Sequence, residues 1–129
     1  MIRRLVLIAY TAALFVLAVT PPVPLPVPAR GFGLKLYHVV AFFVFTLMVR
    51  YATGGKEGRP ALVRALLLPF AVGVAIEAVQ LFIPYRSGRW QDLISNAVGI
   101  GLGLVVIAAV QLIRRRLGER KGGPNGNPA

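Results

Sequence analysis

The chain contains no cysteine, which excludes disulfides, zinc-thiolate centres and a cysteine nucleophile. It has a single histidine, His38, so no pair of imidazoles can hold a metal, and neither a metal nor a cofactor is expected. Acidic residues are scarce: four Asp and Glu stand against 15 Lys and Arg, a formal net charge of +11. Charged residues of both signs make up only 15% of the chain. Soluble domains carry about 25%. What fills the space is apolar: 57% of 129 residues, with a mean hydropathy of +0.71. That length allows one domain, and that composition excludes a disordered chain.

Four apolar runs are present: Leu5 to Thr20, Leu36 to Tyr51, Ala61 to Ile83 and Leu93 to Ile113. Spanning a bilayer takes about 20 predominantly apolar residues in a helix. The third and fourth runs meet that length alone. The first two reach the interface with flanking Tyr10, Tyr37, Tyr51 and arginine stems. A soluble bundle would need a polar stripe on each helix, and the first and fourth runs have none. The expected fold is therefore all-α, a four-helix transmembrane bundle. Its helices are predicted at about 5–20, 35–52, 61–83 and 92–114, within a single domain over 1–117. A basic tail over 118–129 is expected to be disordered. The first run also resembles a signal peptide, but Pro21 and Pro22 follow it with no small-residue cleavage site, so it is expected to stay.

The connections differ in kind. Thr20 to Pro28 reads TPPVPLPVP, a stiff polyproline-like link. Thr53 to Pro60 reads TGGKEGRP, a glycine-rich turn, and Pro84 to Gln91 reads PYRSGRWQ, short and basic. The basic residues divide unequally between the two sides. Arg3, Arg4, Arg50, Lys56, Arg59, Arg64 and the five from Arg114 to Lys121 fall on one side; Arg30, Lys35, Arg86 and Arg89 fall on the other. The positive-inside rule then puts both termini in the cytoplasm, in a multi-pass protein of the cytoplasmic (inner) membrane. The same placement explains the excess charge by lipid anchoring. No nucleic-acid partner is expected, because the basic residues flank hydrophobic spans and no binding module is present.

Polar residues within the spans mark function by default. Glu77 lies seven residues before Pro84, about 10 Å inside the span at 1.5 Å per residue. An ionised carboxylate there costs up to about 3 kcal/mol on insertion scales. Gln80 shares its face, and Gly73 lies one turn earlier. In the fourth run Asp92, Asn96, Gly99 and Gly103 share one stripe; Asp92 is placed to cap the helix, and the two glycines to admit a neighbour. Lys35 and His38 stand near the start of the second run, with Phe42 and Phe45 continuing their stripe. Lys35, His38, Glu77, Gln80, Arg86, Arg89, Asp92 and Asn96 all fall in the outer half. They form the candidate ligand-binding set, with Gly73, Gly99 and Gly103 as packing positions. No catalytic residue is assigned; His38, Glu77 and Asp92 are the candidates.

The spacing Glu77-x-x-Gln80-x-x-x-Pro84-x-Arg86, then Asp92-x-x-x-Asn96-x-x-Gly99-x-x-x-Gly103, resembles the VanZ-like family of small bacterial membrane proteins. Lys35-x-x-His38 resembles that family's D-K-x-x-H-F block, with Leu34 in place of its acid and Val39 after the histidine. The resemblance covers roughly residues 34–105. It implies a four-helix protein of the cell envelope, and the family is named for a protein linked to reduced susceptibility to the lipoglycopeptide teicoplanin. It implies no particular reaction.

Three functions are compatible with these residues. In the first, the protein binds an anionic lipid-linked or amphiphilic ligand at the outer leaflet. Membrane lipids, a lipid-linked envelope precursor or a lipoglycopeptide are then its partners, with Arg86 and Arg89 on an anionic headgroup and Phe42, Phe45 and Phe82 on its chain. In the second, it is an intramembrane enzyme on a lipid-linked substrate, with Glu77 or His38 as acid/base and no obvious nucleophile beyond Ser87. In the third, it is a small transporter, which four helices would require to be an oligomer; the oligomeric state itself is not legible in the sequence.

Overall fold

A computed structural model describes residues 1–21, 32–86 and 89–121, with the side chains of 32–35 and of residue 121 left aside. Four helices follow one another: α1 (Ile2–Val19), α2 (Phe32–Ala52), α3 (Arg59–Gln80) and α4 (Trp90–Lys121). No strand occurs among the described residues. Helices α1, α3 and α4 are long and apolar enough to cross a membrane, and the apolar part of α2, Leu36–Ala52, is shorter. Large apolar side chains such as Leu5, Leu67, Phe70, Val105 and Ile113 point outward, as lipid-facing positions should.

The helix ends follow local chemistry. After α2, Gly54 and Gly55 take left-handed backbone (φ 73° and 67°), and the Gly55 N–H bonds back to the Arg50 carbonyl at 3.2 Å. That pairing closes the last turn in the manner of a Schellman cap. Gly58, at φ 102°, precedes α3, and Pro60 sits in its first turn, where a missing N–H costs nothing. Two predicted boundaries need correction. Helix α3 ends at Gln80 rather than 83, because Pro84 turns the residues before it out of helix. Helix α4 runs on to Lys121 rather than 114, which makes the first part of the predicted tail helical. The segment LIRRRLGERK is built almost wholly of strong helix formers and meets no proline before Pro124. At about 48 Å, α4 exceeds the roughly 30 Å hydrocarbon core, so its arginine-rich end stands clear of it. The Pro-rich link, with Arg30, and residues 122–129 lie outside the described residues.

Packing is closest between α2 and α4. Lipid is as apolar as leucine, so close backbone approach rather than water exclusion holds such helices together. A Cβ added at Gly99 would run into the Val39 carbonyl oxygen, and one at Gly103 would come within 2.8 Å of the Thr46 side chain. These two glycines of α4 therefore seat it on α2. Helix α3 offers an equally thin edge, with Ala61, Ala65, Pro69 and Gly73 buried at four-residue intervals. The core they enclose is Leu14, Phe42, Phe45, Val49, Ile76, Ile100 and Ile107.

Arg3 of α1, Gly54 and Gly55 after α2, and Arg114 of α4 line one cavity, so these points share one end of the bundle. Gln80 of α3 reaches Ala18 of α1 at the other. The helices thus alternate in direction. The two ends are called here the α2–α3 end and the α3–α4 end.

Candidate functional site

The polar set gathers at the α3–α4 end because each helix contributes from the same depth. Gly73 of α3 is the meeting point. A Cβ on it would lie 3.2 Å from Phe42 Cε1 of α2 and 3.3 Å from Asn96 Nδ2 of α4. One turn beyond Gly73, Glu77 is buried at 7% exposure, and Asn96 is buried at 2%. The Asn96 Oδ1 faces His38 Nδ1 at 3.1 Å. A carboxamide oxygen only accepts, so Nδ1 donates.

Glu77 uses one side of its carboxylate. The Arg89 backbone N–H donates to it, and Asp92 lies within electrostatic reach as a like charge. Its Oε1 is buried without a protein partner, and so is Asn96 Nδ2. An acceptor on α3 and a donor on α4 are thus both left open at a junction of three helices. A buried polar atom without a partner costs about 1–3 kcal/mol, so the pair calls for a third group. A hydroxyl, an amine or a water, able both to donate and to accept, matches that pair.

Other expected members stand differently. Gln80 is buried, and its Nε2 donates to the Ala18 carbonyl at 3.1 Å, which ties α3 to α1. Arg86 turns to the same helix: its Nη2 donates to the carbonyls of Leu17 at 3.2 Å and Thr20 at 2.7 Å. Those carbonyls have no partner within the helix, and a cation suits the negative end of its dipole. Tyr85 adds a hydroxyl bond to the Val19 carbonyl at 2.7 Å. The Arg86 Nε remains buried and unpartnered. Asp92 is half-buried in the first turn of α4, and its backbone N–H bonds to the Arg89 carbonyl at 2.8 Å. Arg89 is exposed. Lys35 begins α2 at this end, with its side chain outside the described atoms, and Ser87 is likewise outside. Phe42 and Phe45, expected to meet a ligand chain, are core residues at 2% and 0% exposure, because the face they share packs inward; Phe82 is exposed.

The family comparison covers this whole arrangement. The chain matches the VanZ/LLP1 family over residues 5–113, which takes in the whole of α2 and α3, most of α1 and α4, and every member of the polar set. The chain belongs to the VanZ/LLP1 family. With four helices, three of them long and apolar enough to span, this VanZ-like chain is a multi-pass membrane protein. It is similar to an uncharacterized protein of the fission yeast Schizosaccharomyces pombe, 29% identical over 106 residues. The match takes in 81% of this chain and 64% of the relative, so the chain spans under two thirds of the relative's length. No solved structure matches.

Sequence reasoning missed two buried, unpartnered polar atoms of this VanZ-like bundle, both toward the α2–α3 end. Gln111 is 7% exposed with Nε2 unpartnered, and Arg50 has a buried, unpartnered Nη1. A signal existed for Gln111. Continuing the stripe of Asn96, Gly99 and Gly103 by offsets of four and eight reaches Ile107 and Gln111, both buried. Arg50 reads as an interfacial anchor in sequence, and only the packing of α1 and α4 beside it shows otherwise.

Proposed function

We propose that this VanZ-like protein holds the headgroup of an amphiphile at the α3–α4 end of its bundle. The observation that carries the reading is the open pair, Glu77 Oε1 and Asn96 Nδ2, buried on neighbouring helices. A hydroxyl or amine of the headgroup would bridge them. An anionic group of the same ligand would meet the Arg86 Nε, which is the donor that α1 leaves over. A lipid-linked envelope precursor or a lipoglycopeptide has this combination of apolar chain, hydroxyls and charge. The charge distribution between the two ends favours the outer leaflet as the side of entry.

A second reading is acid–base chemistry on the same headgroup. It is favoured by the nearness of Asp92 to Glu77 and by the fixed ring of His38. Photo-crosslinking with a bifunctional phospholipid probe tests the binding reading. Labelling is expected on peptides spanning residues 77–96 and is expected to fall about fivefold in Asn96→Leu, the equivalent of about 1 kcal/mol. Labelling spread evenly along the lipid-facing helices, and unchanged in that variant, would overturn it. Turnover of the probe in the purified protein, abolished in Glu77→Gln, would instead establish the acid–base reading.

A further inference from the structure

At the α2–α3 end, a cavity of about 290 Å³ is lined by Arg3, Arg50 and Arg114 from three different helices. No carboxylate lines it. The two acids nearest in sequence, Glu57 on the α2–α3 turn and Glu119 on α4, are both exposed and outside the lining. Three guanidiniums around one space repel one another unless something negative lies between them. Two of them are set by the fold. The Arg3 guanidinium lies 5.1 Å from the centre of the Tyr51 ring, a cation–π contact. Arg50 closes α2, with Nη1 buried and unsatisfied. The remaining wall is apolar, formed by Leu47, Val106, Ile107 and Val110.

We infer that this cavity binds a phosphate-bearing anion, with its oxygens on the forks of Arg50 and Arg114 and its charge closed by Arg3. Guanidinium forks match phosphate oxygens pairwise, which an ammonium does not. The apolar wall, with Val106 and Val110 partly open to the surroundings, suits the first carbons of a lipid chain. The site therefore takes a phospholipid headgroup where one is available, and inorganic phosphate shares the same recognition chemistry. The inference is independent of the reading given for the α3–α4 end, since none of its residues belongs to that set.

Native mass spectrometry of the full chain in a neutral detergent decides it. The protein is titrated with phosphatidylglycerol, with phosphatidylcholine, and with phosphatidylglycerol in the presence of inorganic phosphate. Preferential retention of phosphatidylglycerol is expected. It should fall about fivefold in Arg50→Gln and in Arg114→Gln, since one basic residue near a membrane surface contributes about 1 kcal/mol. Lys56→Gln removes the same charge from the same end without touching the cavity and should retain lipid as the parent does. Arg50→Lys, which keeps charge and loses the fork, should fall with the glutamine variants. Displacement by inorganic phosphate assigns the site to phosphate itself, and resistance to it assigns the site to the lipid. Equal losses in Lys56→Gln and Arg50→Gln would reduce the effect to surface charge and overturn the site. So would undiminished retention in both arginine variants. Circular dichroism separates a variant that fails to fold from one that fails to bind, and Arg114→Gln carries the test if Arg50→Gln unfolds.

Discussion

The two ends of this bundle bury polar atoms of different character. At the α3–α4 end the open atoms are an acceptor, Glu77 Oε1, and a donor, Asn96 Nδ2, together with Arg86 Nε. At the α2–α3 end they are donors throughout, Arg50 Nη1 and Gln111 Nε2. The first mixture suits groups that give and take hydrogen bonds at once. The second suits only acceptors, above all anions. Net charge alone would have singled out the α2–α3 end, where most of the basic residues lie. The chemistry of individual atoms makes the two ends different sites rather than a strong and a weak version of one. The contact of α2 with α4 runs between them and holds both.

The largest effect should come from breaking that common contact. In Gly99→Ala the new methyl collides with the Val39 backbone, which cannot rotate away. A loss of about 3 kcal/mol or more is expected, at the upper end of overpacking costs. Denaturant titration in micelles checks it, and Gly101→Ala, with nothing within 4 Å of the new carbon, is the neutral partner. If Gly99→Ala were as stable as Gly101→Ala, the α2–α4 contact would not be what joins the ends.

Next comes Asn96→Leu, which disturbs the α3–α4 end alone. It strands His38 Nδ1 but also removes an orphan donor, so a net loss of about 2 kcal/mol is expected from the unpaired ring and the bulkier side chain. Phospholipid retention at the Arg50 cavity should not change. Arg86→Ala is smaller, about 1 kcal/mol, because it gives up bonds to two exposed carbonyls. Its signature is local: hydrogen exchange should quicken in the last turn of α1 and nowhere else.

Much of this was legible in the sequence, and the reasons are physical. Apolar runs of spanning length identify helices directly, and a buried acid such as Glu77 stands out because insertion penalises it. The stripe Asn96, Gly99, Gly103 depends only on helical periodicity, and its two glycines lie against α2. Partnership was not legible. Nothing local reveals that Arg86 and Gln80 serve α1, since Leu17 and Ala18 lie more than sixty residues away. Nor does the sequence show that Phe42 and Phe45 turn inward, because phenylalanine is equally at home in lipid and in a core. The α2–α3 cavity escaped for the same reason: it exists only where the start of α1, the end of α2 and the end of α4 converge.

The smallest change in stability should come from the substitution that tests the comparison most directly. In Glu77→Gln the shape is kept. One carboxamide atom must still accept the Arg89 N–H, and only the oxygen can. The amide nitrogen is then forced into the place of the open Oε1. The α3–α4 end becomes a donor-only end, like its opposite. Stability should move by under about 1 kcal/mol, since one unpartnered atom replaces another. Ligand preference should move much further: labelling of the peptides spanning residues 77–96 should shift from a zwitterionic toward an anionic phospholipid probe, since a donor-only end favours negative charge. That shift should persist in the double variant Glu77→Gln, Arg50→Gln. A Glu77→Gln protein whose probe preference over residues 77–96 is unchanged would mean that the difference between the ends lies in shape and access, not in the balance of donors and acceptors.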